Sequence, residues 1–309
     1  MKILNNSKIK SLLNVVLSTL GGIFFLLIVS SFVSKYDLLN NKPVEPAMVI
    51  KSITLQESYE FAGEKLPIKD WDIRERLERE LYANVFQHSS TIIAIKRSMR
   101  YFPLIEKKLA EHGLPADLKY IAVAESMLSN AVSPAGAKGV WQLMKPVSEF
   151  YGLEISEEVD ERYHVEKATE IACKYLKHLH KRFGNWSMAA AAYNIGETRF
   201  KKELDFQRAT SYFDMQLNEE TSRYVFRLFA IKAVLEDPEY HGYQLTNGDG
   251  YAPIEAKKVI TVSKPIPDLG LFAQENNISY RKLKWLNPWL ISKQLTNPLK
   301  KEYQIRLLE

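Results

Sequence analysis

The sequence predicts a mainly α-helical protein with a small α+β module at its C-terminal end and one apolar helix near its N-terminal end. Three observations predict this. Apolar residues recur at helical spacing from about residue 70 to about residue 240, broken only by short turns. Ser11 to Ser34 carries no charge, and lysines bracket it. Residues 257–309 read as strand, helix, helix, strand. At 309 residues there is room for two compact modules. A net charge of +5, thinly spread, excludes a nucleic-acid binder, which needs a concentrated basic stripe. Hydrophobic residues at 46% and charged ones at 26% exclude wholesale disorder. Cys173 is the single cysteine, which excludes an internal disulfide and a thiolate-rich metal site.

Taken in order, residues 1–34 read as a cytoplasmic tip and transmembrane anchor. Lys2, Lys8 and Lys10 precede the apolar stretch and Lys35 closes it. Ile23 to Val29 is solidly apolar, while Ser18, Gly21, Gly22, Ser30 and Ser31 dilute the rest. About 20 apolar residues span a bilayer, whereas the apolar core of a secretory signal is about half that. Phe32-Val33-Ser34 is a poor cleavage site, so an uncleaved anchor is preferred to a cleaved signal. Lysines before the span place the tip in the cytoplasm and the remainder across the membrane. Residues 35–60, with Asn-Asn-Lys-Pro and Glu-Pro, read as a tether.

Residues 61–245 form the predicted helical body. Trp71, Ile73, Leu77, Leu81 and Val85 mark its first helix. Ser89 or Ser90 is a candidate cap for the next, which carries Ile92, Ile93 and Met99. Pro103 suits the first turn of a separate helix, Leu104 to Glu111, and Gly113 suits its end. A further helix is expected over 117–128. Val165, Ala168, Ala172, Tyr175 and Leu179 form a later stripe, and Tyr224 to Leu235 ends the body. Residues 246–256 read as a linker. In the last module, Val259 to Val262 and Tyr303 to Leu307 are the strands, and Asp268 to Glu275 and Ser279 to Leu286 the helices.

Glu125 is the sharpest anomaly. It shares a helix face with Leu118, Ile121, Ala122 and Leu128. An apolar setting favours the protonated carboxyl, which is what a general acid near neutral pH requires. Alone, such a glutamate more often pairs with an arginine or leans into solvent. Its neighbours reverse those odds. A small-residue turn runs from Ser133 to Gly139, then Val140-Trp141-Gln142-Leu143-Met144. Trp186 to Asn194 is an alanine-packed helix ending in Tyr193 and Asn194, and Glu220 to Val225 opens another. Singly these pieces are weak, and Met144 on its own reads as core.

Together, in order, they resemble the lytic transglycosylases with a goose-type-lysozyme-like catalytic domain of the membrane-bound murein transglycosylase D type. The matching residues are Leu114-Pro115-Ala116-Asp117-Leu118, Glu125-Ser126, Gly136 to Met144, Val159-Asp160-Glu161-Arg162, Ala192-Tyr193-Asn194 and Glu220 to Val225. The resemblance covers about residues 60–240. One departure is Ile195-Gly196-Glu197-Thr198, where the family often has two glycines. The resemblance implies a lysozyme-like fold, Glu125 as sole catalytic acid/base, and Ser133 and Tyr224 hydrogen-bonded around it. It also implies that Gln142, Met144, Tyr193 and Asn194 line sugar sites. The implied reaction is non-hydrolytic cleavage of the β-1,4 bond between N-acetylmuramic acid and N-acetylglucosamine in peptidoglycan, in the periplasm, without cofactor. Glu154, Glu157 and Glu158 read as an exposed charged stretch and supply no second apolar-set carboxylate. The rivals are a hydrolytic muramidase on the same fold and an inactive peptidoglycan-binding scaffold.

No metal site is expected: His-Glu-x-x-His is missing, and His178 and His180 point to different faces of one helix. Cys173 reads as core. Leu271 to Ser279 and Leu283 to Pro288 resemble a degenerate LysM domain, a small glycan-binding fold. Lys264-Pro265-Ile266-Pro267 replaces the family's Gly-Asp-Thr turn, which leaves glycan binding and a purely structural role both open. Trp285 and Trp289 both read as able to stack on sugars, although the helical spacing of Trp285 also suits core packing. A chain cut after Thr246 is expected to keep most of its turnover on short glycans.

Overall fold

The computed structural model describes residues 6–40, 52–246 and 248–308. Parts of the expected tip and tether, residues 1–5 and 41–51, lie outside the described residues, as does Asn247 of the linker. Residues 1–52 and 53–309 form two separate units.

The first unit holds α1, Asn6–Asn40. Within it Lys10–Lys35 is exposed throughout and is long and apolar enough to cross a membrane. At 1.5 Å per residue those 26 residues reach about 39 Å, more than the ~30 Å of a bilayer's hydrocarbon.

The second unit opens with Ile53 and Leu55 packed against the helical core, followed by a hairpin of β1 (Glu60–Phe61) and β2 (Glu64–Lys65). Phe61 is fully buried and meets the ring of Phe229 at 5.9 Å. Helix α2 (Trp71–Phe86) starts at Asp70, whose carboxylate accepts from the amide of Asp72. Ile73, Leu77, Leu81 and Val85 are buried as their spacing predicts, but Trp71 is 72% exposed and not part of that stripe. Glu80, on the same helix, is buried between Arg223 and Arg227.

The next helix departs from expectation. Helix α3 runs unbroken from His88–Glu111, with Pro103 inside it and no side-chain cap at Gln87. A single residue separates α2 from α3, so no capping loop forms at Ser89 or Ser90; Thr91 instead donates to the carbonyl of Asn84 across the corner. Pro103 lies on an exposed face with Met99, so the carbonyl that proline leaves unpaired there can be hydrated. Ile92 is also exposed. Gly113 does end the helix, at φ +66°, with the amides of Gly113 and Leu114 closing onto Ala110 and Leu109.

A 3₁₀ turn, Ala116–Leu118, leads into α4 (Lys119–Ser126). This helix stops earlier than the predicted 128: Met127 and Leu128 are both left-handed, at φ 48° and 55°. Leu128 is buried all the same. Then come α5 (Lys145–Phe150), α6 (Val165–Phe183), α7 (Trp186–Ile195), α8 (Glu197–Gln207) and α9 (Glu219–Glu236). The four alanines 189–192 of α7 are fully buried, which lets it lie close to α6 and α9 at the centre of the core. Cys173 is in that core. The amides of Trp186 and Ser187 (the latter at 3.0 Å) at the start of α7 donate to Glu64 of the hairpin, as does the Ser187 hydroxyl at 2.7 Å.

The C-terminal module matches its prediction: β3 (Lys258–Val262), α10 (Leu269–Glu275), α11 (Tyr280–Leu286) and β4 (Tyr303–Leu307), with the strands antiparallel. Asp268 and Ser279 cap its helices. In Lys264-Pro265-Ile266-Pro267 the prolines flank the one residue that pairs, Ile266, whose N–H and C=O both bond Leu295 at 2.8 Å. The two tryptophans differ in their surroundings. Trp285 is 51% exposed, while Trp289 is buried and stacked on Tyr303.

This module is docked on the helical body. Val159 belongs to the module's core and bridges Leu290. Asp160 donates its amide to the carbonyl of Trp289, and Ile291 donates to the carbonyl of Glu158, each at 2.9 Å. Glu154 and Glu158 are therefore not a solvated stretch: Tyr303 and Lys301 bond Glu154, and Gln294 and Thr296 bond Glu158. This changes the expectation for a chain cut after Thr246, which would uncover Val159 and strip both carboxylates of their partners.

Candidate active site

Glu125 sits in the last turn of α4 and keeps part of its surface open. The hydroxyl of Tyr224, from α9, donates to its Oε1 at 2.6 Å. Burial is the largest influence on the carboxyl and pushes its pKa up to about 7. Tyr224 and Arg227 oppose that shift, and the charge of Glu220 adds to it. Burial also lifts the phenols of Tyr193 and Tyr224 well above their ordinary range, so both stay neutral donors.

Tyr193, near the end of α7, donates to the carbonyl of Trp141 at 2.7 Å. Asn194 beside it accepts from Thr221 at 2.8 Å and donates to Glu220 at 3.5 Å. These bonds join α7, α9 and the loop 129–144 around one carboxyl. Ser126 fixes the loop to α4 by donating to the carbonyl of Val140 at 2.7 Å.

The loop is braced from within. Gln142 adopts φ 47°, rare for a residue with a side chain. Its amide nitrogen donates to the carbonyls of Ala131 (2.9 Å) and Gly139 (2.8 Å), which holds that conformation in place. Ser133 Oγ accepts from the amide of Ala137 at 3.0 Å, in place of the bond to Glu125 that the resemblance implies. Met144 ends the loop 42% exposed. Gly139 is required outright: at φ +79° an added Cβ would lie 2.0 Å from the carbonyl oxygen of Arg162.

Behind the loop lies a buried ion network whose role sequence reasoning missed. Arg162 donates to both oxygens of Asp160, at 2.9 and 2.8 Å, and to the carbonyls of Gly136 and Leu143 at 3.0 and 3.3 Å. Lys138 reaches Asp160 at 3.1 Å. Burial works to raise the pKa of Asp160, but Arg162 and Lys138 outweigh it and hold the carboxyl below its usual range. The run Val159-Asp160-Glu161-Arg162 was visible in the sequence; its long-range partners were not. Glu220 opens a run that the sequence singled out, but its influence on Glu125 was missed as well, because it depends on how α9 packs on α4.

Residues 102–221, which contain Glu125, the loop, the ion network and Tyr193, match the family described as the transglycosylase SLT domain. This chain carries an SLT domain. Residues 258–308 match the soluble lytic transglycosylase C-terminal LysM-like domain. Over 236 residues the chain is 29% identical to the membrane-bound lytic murein transglycosylase D of Escherichia coli, covering 74% of this chain and 50% of that protein. The chain thus spans about half the length of that relative. Among solved structures, it is similar to an inactive mutant of the lytic transglycosylase Slt from Pseudomonas aeruginosa, with 21% identity, TM-score 0.36, and coverage of 51% of this chain and 27% of that one. It is also similar to the 70 kDa soluble lytic transglycosylase of Escherichia coli, with 20% identity, TM-score 0.39, and coverage of 58% and 33%. The SLT domain begins inside α3 and ends inside α9, so Tyr224, the direct partner of Glu125, falls just beyond the matched residues.

Proposed function

We propose that the chain is a peptidoglycan lytic transglycosylase in which Glu125 is the single acid/base. The observation that carries this reading is the carboxyl raised to about 7 inside an SLT domain, held by one neutral hydroxyl. Near neutral pH a good fraction of Glu125 is protonated and can donate to the glycosidic oxygen as that bond breaks. The substrate's N-acetyl group can stabilise the positive anomeric carbon. Glu125, now a carboxylate, then takes the proton of the C6 hydroxyl as that oxygen bonds the anomeric carbon and closes a 1,6-anhydro ring. The first proton stays on the leaving sugar's new hydroxyl, Glu125 is reprotonated from the C6 hydroxyl, and no water is consumed. An intramolecular nucleophile replaces a bimolecular one, which favours the step without a second carboxylate. Tyr193, Asn194, Gln142 and Met144 are the proposed sugar contacts, and Ser133 supports the turn beside them.

Chains released by the protein should end in 1,6-anhydromuramic acid, one water lighter than hydrolytic ends by mass spectrometry. The muramidase reading draws on Glu220, the exposed carboxylate whose charge reaches Glu125 and which could activate water. Reducing ends alone would establish it in place of the transglycosylase.

The anchor belongs to the same proposal: α1 crosses the cytoplasmic membrane once and the helical body faces the periplasm. The protein should stay with membrane fractions through a high-salt wash and yield peptides from its first residues. A mature N-terminus between Ser31 and Tyr36, in soluble periplasm, would mean a cleaved signal. The LysM-like module is proposed to add modest affinity for glycan strands.

A further inference from the structure

Between the helical body and the C-terminal module lies a cleft of about 590 Å³ that none of the chemistry above uses. Its walls are apolar, with Leu104, Val165 and Leu286 among them, and Arg100, Arg281, Lys284 and Arg306 stand around it. No carboxylate lines it among the described residues. Arg306 pairs with Glu166 at 3.0 Å, but Arg100, Arg281 and Lys284 have no acidic partner among the described residues. Lys284 is held by the carbonyls of Leu290 and Ser292, which are neutral. Arg100 donates to the carbonyl of Ala252 and lies over the rings of Tyr251 and Trp285 at 5.1 and 5.5 Å. Such bonds orient a cation and leave its charge uncompensated. His164 lies in the same cleft: burial pushes its pKa down to about 4, with Arg306 and Lys167 adding to the fall.

The occupant this lining asks for has an apolar body and carboxylates. A neutral sugar could stack on Trp285 but would leave the cations unanswered. The cleft is also near Glu125. Asn130 forms part of its lining, and five residues of chain span at most about 18 Å. A substituent on a strand held at Glu125 can reach that far. We infer that this cleft binds the carboxylate-bearing peptide of a peptidoglycan strand while its sugars lie at Glu125. The inference rests on the proposed substrate and adds a preference for strands that keep their peptides.

The test uses the full chain and two soluble probes, a short glycan fragment carrying its peptides and the same fragment stripped of them. The double variant Arg281→Glu, Lys284→Met removes two cations from the rim and keeps much of the lysine's apolar stem. KM for the peptide-bearing probe should rise about tenfold, the size of one lost charge-assisted hydrogen bond, with the stripped probe unchanged. Equal changes on both probes, or none on either, would overturn the inference. Binding is read separately from the His164 ring resonances, since a carboxylate bound there should raise its pKa. If the parent protein cleaves neither probe, the proposed activity fails, while a His164 shift confined to the peptide-bearing probe still upholds the cleft. The same shift with the stripped probe, or none with either, removes it.

Discussion

Glu125→Gln is expected to lower cleavage by about 10⁴-fold or more while leaving the fold intact. Loss of a general acid commonly costs about 10²–10⁴ in rate. Here one carboxyl gives a proton and then takes one back, so both halves of the reaction fail together. Glutamine has the same shape and its carbonyl can still accept from Tyr224, so the loss would report the missing proton and not a collapsed site. The parent's pH profile should carry the same signature. With the pKa raised to about 7 in the free protein, the protonated fraction falls above that pH, and kcat/KM should fall tenfold per unit on the alkaline side. Stability follows the same sign. A carboxyl whose pKa rises on folding contributes fully below its unfolded value of about 4.5 and loses that contribution as pH passes about 7. The glutamine variant does not titrate, so its melting temperature at pH 8 should exceed the parent's. Near-normal turnover by the variant would move the chemistry to another acid.

How far the sequence reveals this site depends on whether a feature is local. The face that carries Glu125 is set by helical periodicity, and the starts expected for the last two helices, at Asp268 and Ser279, fall on the residues that cap them. All of these were legible. Pro103 was misread because proline is tolerated mid-helix where its face is exposed, and exposure is settled by distant packing. Trp289, read as able to stack on sugars, is buried instead for a related reason. Periodicity gives each helix an apolar side, but Trp289 follows α11 and is taken up by Tyr303 of a strand formed later in the chain. Glu154 and Glu158 look solvated in the sequence because their partners, Tyr303, Lys301, Gln294 and Thr296, come from the far end of the protein. The loop at Gln142 gave only its small residues to the eye; its left-handed residue and the bonds that hold it are products of the folded chain.

Asp160→Ala is the substitution expected to damage the structure most. Asp160 is 1% exposed and compensates Arg162, itself 4% exposed, with two bonds, while Lys138 adds a third. Removing one partner of a buried pair leaves the other charge without compensation, a loss of about 3–5 kcal/mol. Denaturant unfolding should show a loss of that size. The control is Lys301→Ala, which breaks the pair with Glu154; Lys301 is 43% exposed, and exposed pairs are worth at most about 1 kcal/mol. The damage should spread in one direction. The amide of Asp160 still reaches Trp289, so docking of the module keeps its backbone bonds. Arg162 would lose its orientation towards the carbonyls of Gly136 and Leu143, and the loop that presents Gln142 and Met144 would loosen. Hydrogen exchange should therefore quicken at the amides of Lys138, Gly139 and Leu143, which close that loop, more than at Ile291. Uniform acceleration at all four would assign Asp160 to general stability instead. A loop held from behind by Arg162, beside its own bonds through Gln142 and Ser126, predicts the graded result, with catalytic loss exceeding what the unfolded fraction accounts for.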